Sequence, residues 1–323
     1  MAQNESAPKS IGQRLQAVPK QILYFVLVAF ITLSLLLFGG KELPNTPKEQ
    51  SIDLFANLMQ LPDNSTAIIQ SDWTVSTRGE SGGATEALLR ILTRKNIKFV
   101  MFSAADPQAP QVIRDTLGRI NAERKKAGQR EYKGWQDYVE LGYFPNAEAL
   151  GQAMANDLKS AWAGKKYPND QGTPDDVFKS PVLANVQKIA DASIFINITA
   201  SQTIDVIVER MSGKVKLATL CTGVMGPESL VYYKAGQLVG VSVGLGGVVD
   251  LETMMEKGID PEGKDGAVKA PKYPHIDGFK GQKNFARGMD YYPALHVAMG
   301  LMILAIIIGN IGMILARREG RGA

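Results

Sequence analysis

The 323-residue chain has one cysteine and two histidines, and those scarcities close off several chemistries at once. A single thiol, Cys221, makes no internal disulfide, and its apolar strand-like surroundings mark it as a small core residue. His275 and His296 cannot supply a His/Cys metal cluster, and neither falls among the loops where a Ser-His-Asp triad would assemble unless the segment bearing His275 folds back on the domain. No metal or cofactor is therefore expected. Net charge is also missing from the middle of the chain. The formal total is +4, with 36 Lys+Arg against 32 Asp+Glu. Residues 1–20 hold Lys9, Arg14 and Lys20 against Glu5, and residues 317–323 hold Arg317, Arg318 and Arg321 against Glu319. Each tail is thus +2, and everything between sums to zero. A neutral middle without a basic run argues against nucleic acid as a partner.

What the chain does have is two long apolar runs, Ile22–Phe38 and Ala294–Ala316. About 20 helical residues cross a hydrocarbon core of about 30 Å, so each run is a candidate span and the lipid bilayer is the first partner expected. Short basic flanks favour the cytoplasmic side, which puts both tails inside and the intervening domain in a periplasm or its equivalent, on a cell (inner) membrane. The first run is longer than the 7–15 residues of a signal-peptide core and no A-x-A site follows it, so it reads as a retained anchor. The organisation expected is a tail over 1–20, a first span over 21–40, a linker with a short amphipathic helix over 41–65 and an α/β domain over 66–258. An irregular tether over 259–290, a second span over 291–316 and a tail over 317–323 complete it.

Within the domain, short β-rich runs alternate with helical patterns. Strands are expected at 66–73, 98–104, 137–144, 193–200 and 215–224, with helices near 83–95, from Asp106-Pro107 to Lys126, after Asn146, near 182–190 and near 203–211. Leu150, Met154, Leu158 and Trp162 recur at i+4 and predict one helical face. Alternation of this kind predicts right-handed βαβ units: a Rossmann-like, mostly parallel sheet of about five strands flanked by helices, with two transmembrane helices besides.

Ligands of open parallel sheets bind beyond the carboxyl ends of the strands. The loops there offer Asp72, Ser76, Thr77, Arg78, Glu80, Asp106, Thr222 and Glu228. Gly82 and Gly83 in the first loop enter a helix whose N-terminus would suit an anion, with Arg78 as a bidentate partner, though the loop is neither a P-loop nor G-x-G-x-x-G. Asp72, Asp106 and Glu228 are the carboxylates available for acid–base work, although carboxylates at such turns commonly cap helices. Gly236, Gly240, Gly244 and Gly247 line up on one face if residues 236–247 are helical, the reading preferred here over a strand, and would admit a close neighbour. Gly309, Asn310 and Gly312 repeat that theme in the second span, where Pro293 is expected to start the helix. The function expected is a non-catalytic binding or assembly module joined to other membrane-protein subunits or to itself. A sensor or delivery domain for a small anionic solute is the alternative, and a membrane-tethered hydrolase or transferase a third.

Overall fold

The structure, a computed structural model, describes residues 11–41, 45–285 and 287–319. The expected tails at 1–10 and 320–323, and the short stretches 42–44 and 286, lie outside those residues. The chain divides into two units, 1–43 with 289–323, and 44–288.

Two helices are long and apolar enough to cross a membrane, Lys20–Phe38 and Gly288–Arg318, and apart from Gly288 both fall in the first unit. Their large apolar side chains face outward, Phe25 and Leu36 among the most exposed, which in water would strand far more apolar surface than a soluble protein shows. The second helix begins earlier than expected, with Asp290 in its first turn favouring the helix N-terminus, so Pro293 sits inside it and does not start it. Gly312 is buried: an added Cβ there would meet Leu15 and Gly12 of the short helix Ile11–Gln16. Gly309 and Asn310 lie on the surface side of the same turn, partly and fully exposed.

The second unit is an α/β sandwich on one six-stranded sheet. Its strands are β1 (Thr66–Asp72), β2 (Lys98–Ser103), β3 (Tyr138–Tyr143), β4 (Ile194–Thr199), β5 (Leu217–Cys221) and β6 (Gly240–Val243). All neighbours pair parallel in the order β3-β2-β1-β4-β5-β6, so the strand order reverses between β1 and β4. Ile68, Ile69, Phe195, Ile196 and Leu217 are buried on both sheet faces, as a sheet covered on each side requires.

One face carries α1 (Glu49–Met59), α2 (Arg78–Arg94) and α3 (Ala109–Lys126). The other carries α4 (Ala147–Asn156), α5 (Leu158–Ala161), α6 (Thr203–Met211) and, beside the β5 and β6 ends, α7 (Gly226–Lys234). The last helix, α8 (Gly244–Lys257), returns to the α1–α2 side. Asn146 caps α4 as expected, its side chain accepting from Ala149 N at 3.0 Å. The Leu150–Trp162 stripe is buried throughout but spans two helices, because Asp157 leaves helical geometry to cap α5 through Ser160 N.

Three expectations are corrected. No helix forms at 182–190: Thr66 Oγ1 donates to Val182 O at 2.7 Å, taking a carbonyl a helix would need, and only a 3₁₀ turn follows at Ile189–Asp191. The glycine ladder is not one helical face either. Gly236 is a turn residue at φ +73°, Gly240 opens the sixth strand, Gly244 at φ +55° breaks strand from helix, and Gly247 packs over Ser242. Gly240 is required by contact, since an added Cβ would lie 2.3 Å from Leu54 Cα of α1. Third, the 259–290 segment is short on regular structure, with two-residue strands at Ile259–Asp260 and Val268–Lys269 and a 3₁₀ turn at Lys264–Gly266 before the helix that starts at Gly288, yet it packs onto the α1–α2 layer through Phe279, Tyr273, Ile276 and Phe285. Asp53 of α1 anchors it, accepting from Lys272 Nζ at 2.9 Å and Tyr273 Oη at 3.0 Å.

Both ends of this unit are held by one turn of α8. Asp250, 2 % exposed, accepts from Asn45 Nδ2 at 2.8 Å, Lys48 N at 3.2 Å and Ser51 Oγ at 2.9 Å. Gly288 approaches the same turn, where an added Cβ would meet Glu252 and Val249.

Candidate functional site

In this strand order the crevice is dictated by topology: the connections from β1 and β4 leave in opposite directions and part above the sheet. A cleft of about 370 Å³ opens there, lined by Ser76, Thr77, Gly79 and Glu80 after β1, Ala200 after β4, and Thr222 and Val224 after β5. Four residues named from sequence, Ser76, Thr77, Glu80 and Thr222, thus share one cavity.

Local chemistry shapes each wall. Residues Val75–Thr77 form a 3₁₀ turn with Thr74 Oγ1 and Ser76 Oγ 2.7 Å apart and Thr77 Oγ1 donating to Thr74 O at 3.3 Å. That turn feeds directly into α2, which starts at Arg78, earlier than the glycine pair suggested. Thr222 is fixed by its own backbone, its N–H donating to Thr199 O at 3.2 Å and its carbonyl accepting from Met225 N at 3.0 Å. Glu80, in the first turn of α2, accepts from Gly223 N at 2.6 Å and so ties the β1 loop to the β5 loop. Gly244 also crowds it, an added Cβ lying 3.1 Å from Glu80 Oε2. Valines ring the opening: Val224 is 88 % exposed and Val75 61 %.

The electrostatics differ from the expectation of an anion site. The α2 N-terminus already has a carboxylate beside it, Glu80, which satisfies part of the helix's pull on negative charge. Arg78 is exposed and folds back over Gly82 and does not line the cavity. The only charged group in the lining is Glu80.

The remaining sequence-named residues are placed elsewhere. Asp72 is 4 % exposed beneath the crest and is saturated: Oδ1 accepts from Ser103 Oγ at 3.1 Å, Ala104 N at 2.8 Å and Ala105 N at 3.2 Å. Its Oδ2 accepts from Gln70 Nε2 at 2.5 Å and Asn197 Nδ2 at 3.5 Å. It shapes the β2–α3 turn. Asp106 accepts from Gln108 N at 2.7 Å in a turn that precedes α3, which begins at Ala109, two residues beyond the expected Pro107 start. Glu228 sits in the first turn of α7, its pKa raised by partial desolvation and by the Asp205 carboxylate beside it. The three carboxylates are engaged separately, and among the described residues no group of three or more His, Cys, Asp and Glu could hold a metal. Burial pushes the Cys221 thiol up to about 11, which leaves it protonated and unreactive at neutral pH.

Sequence reasoning missed Gly79, Ala200 and Val224 as lining, and Asp250 as the clamp on both ends of the unit. Val224 carried a signal, an apolar residue in a Gly-rich loop after a strand; Asp250 carried none, since its partners lie about 200 residues away in the chain. No family model, curated protein or solved structure matches the chain.

Proposed function

We propose that the chain is a membrane-anchored sensor or delivery domain that binds a small polar solute in the cleft between the β1, β4 and β5 loops. The observation that carries this reading is the cleft's place at the reversal of strand order, with hydroxyls of Ser76, Thr77 and Thr222 around one carboxylate. Glu80 as the only charge in the lining favours a solute bearing hydroxyls or an amine over the anion expected from sequence. The two apolar helices anchor the domain. Arg14, Lys20, Arg317 and Arg318 flank them, which supports cytoplasmic tails and an extracytoplasmic domain.

The test is thermal unfolding of the detergent-solubilised full chain against polyols, amines, amino acids and carboxylates. A solute at about 100-fold its Kd stabilises by about 2.7 kcal/mol, and Glu80→Gln or Thr222→Ala should abolish that gain. If no polar solute shifts the transition, or the variants keep the shift, the cleft is not the site.

One observation favours assembly with another subunit as a second reading. Asn310 is exposed on the apolar helix without a hydrogen-bond partner among the described residues. An amide in lipid gains from a partner helix, by about 0.6 kcal/mol on average and up to about 2. Cross-linking through Asn310→Cys in membranes should then give a discrete dimer or hetero-adduct; monomer alone would remove this reading.

A further inference from the structure

At the end of the sheet opposite the crest, the C-terminal halves of α2 and α3 and the loop at 278–282 enclose a second cleft of about 420 Å³. Its lining includes Arg90, Arg94, Glu123, Arg124, Phe279 and Lys280. These cations divide into two kinds. Arg90 belongs to a neutral network of two cations and two carboxylates: its guanidinium holds Glu86 Oε1 and Glu123 Oε2 at 2.7 Å each and donates to Gln282 Oε1 at 2.9 Å, while Arg119 donates to Glu86 Oε2 at 3.2 Å. Glu123, the acidic residue of the lining, is thereby taken. Arg94, Arg124 and Lys280 have no carboxylate within ion-pair distance among the described residues.

The two arginines are nevertheless held in place. Arg94 lies over the Phe279 ring, 5.6 Å from its centroid, and Arg124 over Tyr132 at 5.6 Å, with Arg124 Nε donating to Arg130 O at 2.8 Å. Aromatic faces orient a guanidinium without cancelling its charge, and leave its remaining N–H edges for a planar or tetrahedral oxyanion. Burial, with Arg130 and Arg94 nearby, lowers the Arg124 pKa, as like charges held together should.

Neutralising helix ends is the obvious alternative role for such residues. Each helix C-terminus is worth about half a negative charge, so α2 and α3 together offset about one of the three unpaired cations. Their final carbonyls are also already satisfied, Ile91 O by Lys95 N, Leu92 O by Ile97 N and Glu123 O by Ala127 N. A net excess of about two positive charges is left in a cavity at the small end of ligand-site volumes.

We propose that this cleft binds a phosphate-bearing anion through Arg94, Arg124 and Lys280. The group could belong to a free phosphorylated solute or to a phospholipid headgroup, and the two differ in how they respond to membrane composition. This site is independent of the crest cleft, and either can stand without the other.

The experiment is calorimetric titration of pyrophosphate into the full chain in nanodiscs, once in neutral phosphatidylcholine and once with added anionic phosphatidylglycerol. Saturable binding of about one pyrophosphate is expected, weakened roughly 10- to 100-fold by Arg94→Gln or Lys280→Gln. Both side chains are exposed, so the unfolding transition should stay where it is, and Lys234→Gln on the far layer should bind as the parent does. Equal affinity in both lipids supports the free solute; competition by the anionic lipid supports the headgroup. Absence of saturable binding, or binding unchanged in Arg94→Gln and Lys280→Gln, would overturn the proposal.

Discussion

Asp72→Ala is expected to be among the most damaging single substitutions in the α/β unit, and Asp72→Asn distinctly milder. The carboxylate is buried and accepts five hydrogen bonds, three at Oδ1 and two at Oδ2, of which the one from Asn197 at 3.5 Å is marginal. Hydrogen bonds to a charged group contribute about 1.5–3 kcal/mol each, though not additively, and buried donors left without a partner cost about 1–3 kcal/mol each. Alanine strands Ala104 N, Ser103 Oγ and Gln70 Nε2 together, so the loss should be about 3–5 kcal/mol, the range for removing one partner of a buried charged group. Asparagine keeps an oxygen for the three Oδ1 donors. Its amide would face Gln70 and Asn197, and the Asn197 Oδ1 atom, buried without a partner, could accept it after a side-chain flip. A cost of about 1–2 kcal/mol follows. The assay is urea unfolding of the solubilised full chain followed by tryptophan fluorescence, because Trp73, Trp135 and Trp162 all lie in this unit. With a urea slope of about 3 kcal/mol/M, Asp72→Ala should lower the midpoint by about 1–1.7 M. Equal midpoints for the parent and Asp72→Ala, or for the two variants, would refute the reasoning.

Other outcomes follow from single contacts. Gly240→Ala should destabilise by about 1–3 kcal/mol through overpacking against the Leu54 backbone, read from the same urea midpoint, and a neutral result would mean α1 moves freely. Native Cys221 should resist a thiol reagent at pH 8 and react quickly in urea, since its thiol is pushed up to about 11 by burial; rapid native labelling would contradict that environment. His275 sits with Nδ1 3.0 Å from Asp260 and Nε2 3.0 Å from Asp277, so both nitrogens suit the imidazolium, and the Asp277 and Asp260 contacts raise its pKa. A raised folded pKa means its stabilisation is complete below the ordinary histidine value, about 6.5, and fades as pH rises through the folded value. Histidine NMR shifts should titrate above that ordinary value, and should move back toward it in Asp277→Asn, with the Asp260 contact still in place.

Much of this architecture was legible because strands covered on both faces are continuously apolar. The first five strands and the helices at Ala109–Lys126, Ala147–Asn156 and Thr203–Met211 announce themselves by composition, period and caps. The sixth strand did not, because Gly240 is there for the approach of α1 and hides the strand signal inside a helix-like glycine spacing. The 259–290 segment looked structureless because its packing residues, Tyr273, Ile276, Phe279 and Phe285, follow no helical or strand period. For the crest cleft, loop position after parallel strands was enough to name four lining residues, while the inward role of Asp72 depended on donors about 30 and 125 residues away. The basic cleft was invisible for a like reason: Arg94, Arg124 and Lys280 are scattered in a neutral sequence and meet only where α2, α3 and the 278–282 loop close together.

The proposed role of the crest cleft requires both apolar helices to cross the bilayer with the domain on the outer side. Cysteine accessibility tests this directly. With Cys221 buried, a cysteine placed at Val75 and others placed at Ser10 and Arg321 can be probed singly with a membrane-impermeant maleimide on intact and on permeabilised cells. The expected result is labelling of the Val75 position from outside and of both tail positions only after permeabilisation. Labelling of either tail from the same side as the domain would contradict the account.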